Sequence, residues 1–240
     1  MSKIIFVTGT DTGVGKTLVT ALLLHQLRQS GYRAFAMKPF CSGSFADVRL
    51  LLELQEGDLS VKEINPFYFQ EPVAPLVAAR KHRRRIPLEE VLCRINSVKK
   101  NCEYLLIEGS GGVMAPLGEG YAVADLIAAL RCFVLVVARN KLGVINHTLL
   151  TVGALRKLAI KRIRIVLSNC HEVELSTQTN QEILRELLAP VEVFSLPFLG
   201  QKVLSTSTIK KICRKLKKPL ALLVDIGNFS PVLSNDERKD

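Results

Sequence analysis

Residues 9–17 read GTDTGVGKT and end in Gly15-Lys16-Thr17. A glycine-rich turn that closes on Gly-Lys-Thr has the residue types needed to hold a polyphosphate. Glycines let successive backbone amides point inward, the lysine sets a point charge on the β- and γ-phosphates, and the hydroxyl ligates a divalent cation. The usual spacing, G-x-x-x-x-G-K-[ST], puts the first glycine at position 10. Here position 10 is Thr10, and the nearest glycine, Gly9, comes one residue early. Gly13, Val14 and Gly15 still lead directly into Lys16, Thr17 and Leu18.

A divalent ion beside a phosphate also needs carboxylates. Glu108 ends the apolar run YLLIE, where the metal-binding acid of such a site belongs, and Asp47 follows shortly after a second apolar run. Each also has a simpler reading, as a helix cap or a solvated charge. Gly109, Ser110, Gly111 and Gly112 follow Glu108 and form either a second backbone cradle for anions or a tight turn. Lys38 opens MKPFCSGS, with Ser42 close behind. A lysine leaving a strand end beside the γ-phosphate is placed to neutralise charge during transfer. His25, His82, His147 and His171 have no metal-ligand spacing.

Strands and helices in strict alternation must carry these groups. Apolar, β-branched runs at 4–8, 33–38, 104–108, 133–138, 163–168 and 191–196 predict strands buried on both faces. Helical patterns at 16–30, 88–100, 121–130, 146–159 and 177–188 fall between them. The expected fold is α/β: one P-loop NTPase-like, doubly wound and mostly parallel sheet with helices on both faces. No repeat or linker divides residues 1–228, and the polar tail 229–240 is expected to fray.

Lys plus Arg outnumber Asp plus Glu by 33 to 22, a net charge of +11. Two clusters hold much of the excess, RKHRRR at 80–85 and a run of basic residues at 202–218. Neither has interleaved aromatics, so both read as solvated faces, with nucleic acid and membrane as the other candidates. In 208–218, Ile209, Ile212, Cys213 and Leu216 share one face and predict a helix docked on the fold. Six scattered cysteines without a C-x-x-C pair read as free thiols. With no apolar run of about 18 residues and no leader pattern, they point to a cytoplasmic chain.

GTDTGVGKT, MKPFCSGS, NPFYFQEPVAP, IEGSGGVMAPL, NKLGVINH and the SN of LSNCH occur in this order. Together they resemble the dethiobiotin synthetases, from about Lys3 to Gly200. That family has a long phosphate loop with five residues between its glycines, the spacing of Gly9 and Gly15. The resemblance implies a ligase that joins CO2 to 7,8-diaminononanoate with ATP and Mg2+, through a carbamate and a carbamic–phosphoric anhydride. It implies that Lys16 and Lys38 stabilise the transferring phosphoryl group, and that Thr17, Asp47 and Glu108 hold Mg2+. Thr12 and Ser42 would face the reacting end of the substrate, while Ser110 and Gly111 offer amides near the phosphates. Asn169 with Cys170 would meet the adenine, whose pocket Leu196, Pro197 and Phe198 line. The family's homodimers place Val144 and Asn146 of one chain on the substrate tail of the other.

The segment between Ser44 and Asp47 is short for that family. One rival is a partitioning ATPase acting on nucleic acid or membrane. It carries K-G-G-x-G-K-T, whose first lysine would fall at position 11, where this chain has Asp11. A cobyrinate-type amide ligase would need a further glutaminase domain, for which 240 residues leave no room.

Overall fold

The computed structural model describes residues 2–171, 174–200 and 203–224. The tail 229–240 and the end of the expected domain, 225–228, lie outside the described residues. Among the described residues there are ten strands: β1 Lys3–Gly9, β2 Ala34–Met37, β3 Phe40–Ser42, β4 Phe67–Phe69, β5 Tyr104–Gly112, β6 Pro116–Gly118, β7 Tyr121–Ala122, β8 Phe133–Asn140, β9 Ile163–Asn169 and β10 Glu192–Leu196. The helices are α1 Lys16–Gln29, α2 Ala46–Leu54, α3 Val61–Ile64, α4 Pro75–Lys81, α5 Leu88–Lys99, α6 Val123–Leu130, α7 Val144–Lys157, α8 Leu175–Leu188, α9 Thr206–Lys215 and α10 Lys217–Leu223.

Six strands form one parallel sheet in the order β10-β9-β8-β1-β5-β2. All six were expected from their near-continuous apolar runs. Such runs suit a sheet covered on both faces, and Ile5–Val7 and Val134–Ala138 are almost fully buried. From β1 the chain crosses to the edge strand β2 and returns to β5. It then continues on the far side of β1 through β8, β9 and β10. This reversal leaves a crevice at the carboxyl end of β1, where ligands of open α/β sheets bind.

Two small sheets were not expected, the parallel pair β3-β4 and the antiparallel pair β6-β7. Strands of two or three residues carry no readable alternation. The expected helix 121–130 begins at Val123, because Tyr121 and Ala122 pair with β6. Helices α2, α3 and α4 were also missed. They span 4 to 9 residues, shorter than a clear helical period.

The basic segment 208–218 docks on the fold as expected. Ile209, Ile212 and Cys213 are buried, α9 packs on α1, and the Cys213 thiol meets the Gln26 side chain at 3.2 Å. Ser205 caps this helix by accepting from the Thr208 amide. The run after Pro219 continues as α10, with Pro219 in the first turn where its missing N–H is not needed. Truncating Ile209 to Ala should cost about 2–4 kcal/mol. Lys215→Ala, on the exposed side, should stay within about 0.5 kcal/mol. Urea denaturation of both variants checks this.

The cluster at 80–85 is neutralised in part, through Arg80, Lys81 and Arg84. Arg80 pairs with Glu119 through two bonds of 2.7 and 2.8 Å, and Lys81 and His82 meet Glu71 at 2.8 and 3.0 Å. Arg84 reaches Glu90 at 3.6 Å and lies over the Phe67 ring.

Candidate active site

The phosphate loop fills the turn from β1 into α1. Gly9, not residue 10, must be the first glycine for a steric reason. A Cβ at Gly9 would lie 2.7 Å from Val14 Cγ2 and 3.0 Å from the Asp11 carbonyl. The loop folds back tightly over this point, with Val14 buried beneath it. Gly15 stands at the N-cap of α1 with φ 104°, a left-handed conformation that favours glycine. The two glycines therefore fix both ends of the longer loop. Gly9→Ala should lower nucleotide affinity at least tenfold and cost about 1–3 kcal/mol of stability, as overpacking does. Calorimetry with ADP and thermal melts test the two effects.

Lys16 and Thr17 begin α1, whose N-terminal amides and dipole favour an anion. The Lys16 ammonium donates to the Asp11 carbonyl at 2.7 Å. Burial pulls the Lys16 pKa below its ordinary value, and the neighbouring Glu108 carboxylate partly opposes this. The Thr17 hydroxyl donates to Glu108 Oε1 at 2.8 Å. Glu108 is only 1% exposed, and its other oxygen, Oε2, has no hydrogen-bond partner.

Lys38 lies just past the end of β2. Its amide donates to the Ile64 carbonyl at 2.9 Å, and Asn65 Nδ2 donates to its carbonyl at 2.6 Å. The backbone is thus pinned from both sides, and the ammonium points at two acids. It donates to Glu108 Oε1 at 2.7 Å and forms a second ion pair with Asp47. Burial alone would depress the Lys38 pKa, but Glu108 and then Asp47 outweigh it and hold the pKa above its ordinary value. Lys38 is therefore a fixed cation at neutral pH. It cannot serve as a general base there.

Asp47 reaches this cluster from the first turn of α2. The short segment after Ser44 does not keep it away, because α2 starts at once and carries the carboxylate to Lys38. Thr17, Asp47 and Glu108 offer only oxygens, including one buried carboxylate oxygen without a partner. Such a donor set suits a hard divalent cation.

A cleft of about 690 Å³ opens over these groups. Thr12, Gly13, Gly15, Lys16, Thr17, Leu18, Lys38, Ser42, Asp47, Glu108, Gly109, Ser110 and Gly111 all line it. One sequence reading changes. Glu108 does not end its strand, because β5 runs on to Gly112, which pairs with Gly9. Residues 109–112 are thus strand and not a tight turn, and Gly109, Ser110 and Gly111 border the cleft. Ser110 spends its hydroxyl on the Phe40 carbonyl at 2.6 Å. Val14 lies under the loop and outside the cleft lining.

The remaining residues do not line this cleft. Asn169, Cys170, Leu196, Pro197 and Phe198 lie at the carboxyl ends of β9 and β10. That region abuts the phosphate loop, since Ser168 Oγ is 3.4 Å from where a Cβ on Gly15 would stand. Leu196 is buried, and the Phe198 ring meets His171 edge-on. The Cys170 thiol accepts from Arg139 Nε at 3.1 Å. Val144 is buried at the start of α7, and Asn146 is exposed on the same helix.

Some site residues escaped the sequence reading. Asn65 and the wall formed by Pro72, Val73, Ala74 and Pro75 both belong to the quoted stretch NPFYFQEPVAP. Its density of prolines was the available signal.

A family model described as an AAA domain matches residues 3–219. The chain is 40% identical over 201 residues to an ATP-dependent dethiobiotin synthetase of Bacillus licheniformis, covering 81% of this chain and 83% of that one. It is 36% identical over 213 residues to the ATP-dependent dethiobiotin synthetase of Thermodesulfovibrio yellowstonii, covering 82% and 89%. Among solved structures it is similar to a ParA family ATPase from Chlorobium tepidum, with a TM-score of 0.55, 11% identity and 94% of each chain covered. A second is pNOB8 ParA bound to nonspecific DNA, with a TM-score of 0.57, 16% identity and coverage of 94% and 99%. Identities this low show the shared P-loop fold alone. The curated relatives and the motifs converging on the cleft carry the family assignment: the chain belongs to the ATP-dependent dethiobiotin synthetases.

Proposed function

We propose that this chain makes dethiobiotin from 7,8-diaminononanoate, CO2 and ATP. The observation that carries the reading is the ammonium of Lys38, held between Glu108 and Asp47 and facing the Thr17 end of the phosphate loop. A permanent cation there suits phosphoryl transfer to a carbamate, which needs charge stabilisation and not a protein nucleophile.

The sequence of steps balances without any covalent enzyme intermediate. One substrate amine adds to CO2 and loses a proton, giving a carbamate. A carbamate oxygen attacks the γ-phosphorus, the bond to the β-phosphate oxygen breaks, and ADP leaves. The second amine attacks the carbonyl carbon of the resulting anhydride, phosphate departs, and loss of a proton leaves the ureido ring. Lys16 and Lys38 stabilise the negative charge shared by carbamate and transferring phosphoryl group. Thr12 and Ser42 orient the reacting amines, and the buried Ser42 hydroxyl has no protein partner to give up.

Thr17, Asp47 and Glu108 would hold Mg2+, which when bound neutralises phosphate charge. Asn169 reads the nucleobase between Leu196, Pro197 and Phe198. Val144 and Asn146 serve the substrate tail of a second copy in a homodimer. The exposed side chains of Leu142 and Leu150 beside them favour such a face.

Phosphate release from ATP and Mg2+ tests the reading, measured with and without diaminononanoate and bicarbonate. Release that requires both, matched by a ureido product in the mass spectrum, is the expected result. Release indifferent to both but stimulated by DNA or anionic lipid would replace the ligase with a partitioning ATPase.

A further inference from the structure

Three asparagines form a hydrogen-bonded chain at the carboxyl ends of β8 and β9. Asn140, the last residue of β8, and Asn180, on α8, are 2% and 3% exposed. Asn180 donates from Nδ2 to Asn140 Oδ1 at 2.8 Å and to the Lys141 carbonyl at 3.3 Å. Asn140 donates from Nδ2 to Asn169 Oδ1 and to the Thr177 carbonyl, both at 2.9 Å. The Ser195 hydroxyl of β10 gives Asn169 Oδ1 a second donor at 3.3 Å.

The direction of this chain is fixed by the main chain. A backbone carbonyl only accepts, so the atoms facing Lys141 and Thr177 must be amide nitrogens. Asn140 Nδ2 then needs an acceptor on Asn169, which is Oδ1. Both lone-pair positions of that oxygen are taken, by Asn140 and Ser195. The group Asn169 has left for a ligand is its Nδ2, which donates only.

An asparagine that pairs with both N6 and N7 of adenine needs an acceptor and a donor together. Asn169 offers donors alone. Adenine presents one acceptor to it, N7, while guanine presents N7 and O6. We propose that Asn140 and Asn180 are positioning residues that fix Asn169 as a donor-only reader of the purine, so that the site admits GTP alongside ATP. This rests on the base-reading role given to Asn169 above.

Calorimetry of ADP and GDP binding to the intact protein tests it, with kcat/KM for ATP and GTP measured in parallel. The two dissociation constants should lie within about tenfold, the span of one neutral hydrogen bond. Asn140→Ala frees a lone pair on Asn169 Oδ1 and should shift the ratio toward adenine by about fivefold. A merely structural role would weaken both nucleotides equally and leave the ratio unchanged, which would overturn the proposal. Should Asn140→Ala fail to fold, Ser195→Ala removes the other donor and should shift the ratio in the same direction by about threefold. A preference for adenine above about a hundredfold in the unaltered protein overturns the donor-only reading. If Asn169→Ala then still weakens ADP, only the relay is wrong. If Asn169→Ala changes neither nucleotide, the base-reading role itself fails.

Discussion

Lys38→Met is expected to lower turnover about a thousandfold while ADP affinity stays within about threefold of the unaltered protein. The argument begins with geometry. Lys38 is held by backbone bonds to Ile64 and Asn65, and its ammonium lies between Glu108 and Asp47. It contributes charge where the phosphoryl group is transferred, whereas the phosphate loop and Lys16 hold the nucleotide. Methionine keeps an unbranched stem and removes only the ammonium. Single-turnover phosphate release and ADP calorimetry separate the two effects. Lost ADP binding with unchanged residual turnover would remove Lys38 from the transfer step.

The same substitution leaves two carboxylates without their cation, one of them fully buried. Breaking a buried pair costs about 3–5 kcal/mol, so a lower Tm should accompany the kinetic defect. Mg2+ should restore more of that Tm than it adds to the unaltered protein, since the donor set suits a divalent cation. Lys38→Arg serves as a folded control that keeps the charge and changes its geometry. The sign of the pH effect follows from the raised Lys38 pKa. Its contribution to stability is fully present below the unfolded value, 10.5, and is lost only as pH rises through the folded value above it.

Lys16→Ala is expected to weaken ATP about a hundredfold, or about 2.7 kcal/mol. Charge-assisted bonds to phosphate are of this size, and Lys16 sits at the start of α1 within the loop. Burial holds its pKa down in the free protein. A bound polyphosphate pulls that pKa up again, so nucleotide binding should take up a proton as the pH approaches the free Lys16 value. Calorimetry in buffers of different ionisation enthalpy reads this uptake directly. ATP affinity unchanged in Lys16→Ala would mean that the loop amides alone hold the nucleotide.

The apolar, β-branched runs of the six central strands made the fold class legible, because a parallel sheet covered on both faces permits little else. GTDTGVGKT, Lys38 and Glu108 were legible because phosphate chemistry needs those residue types next to strand ends. The linear chain could not show that Gly9 is obliged to be glycine, which is a clash with Val14 five residues later. Nor could it show where Asp47 points. That depends on α2 starting immediately after a short segment, a helix of 9 residues with too few turns to announce itself. The strand extension through Gly112 exists only because β1 lies alongside to pair with it. The asparagine chain joins residues 140, 169 and 180 across two strands and a helix. Local sequence therefore set the elements and the reactive groups. Packing between distant segments set the partners, and with them the charge of Lys38 and the direction of the Asn169 amide.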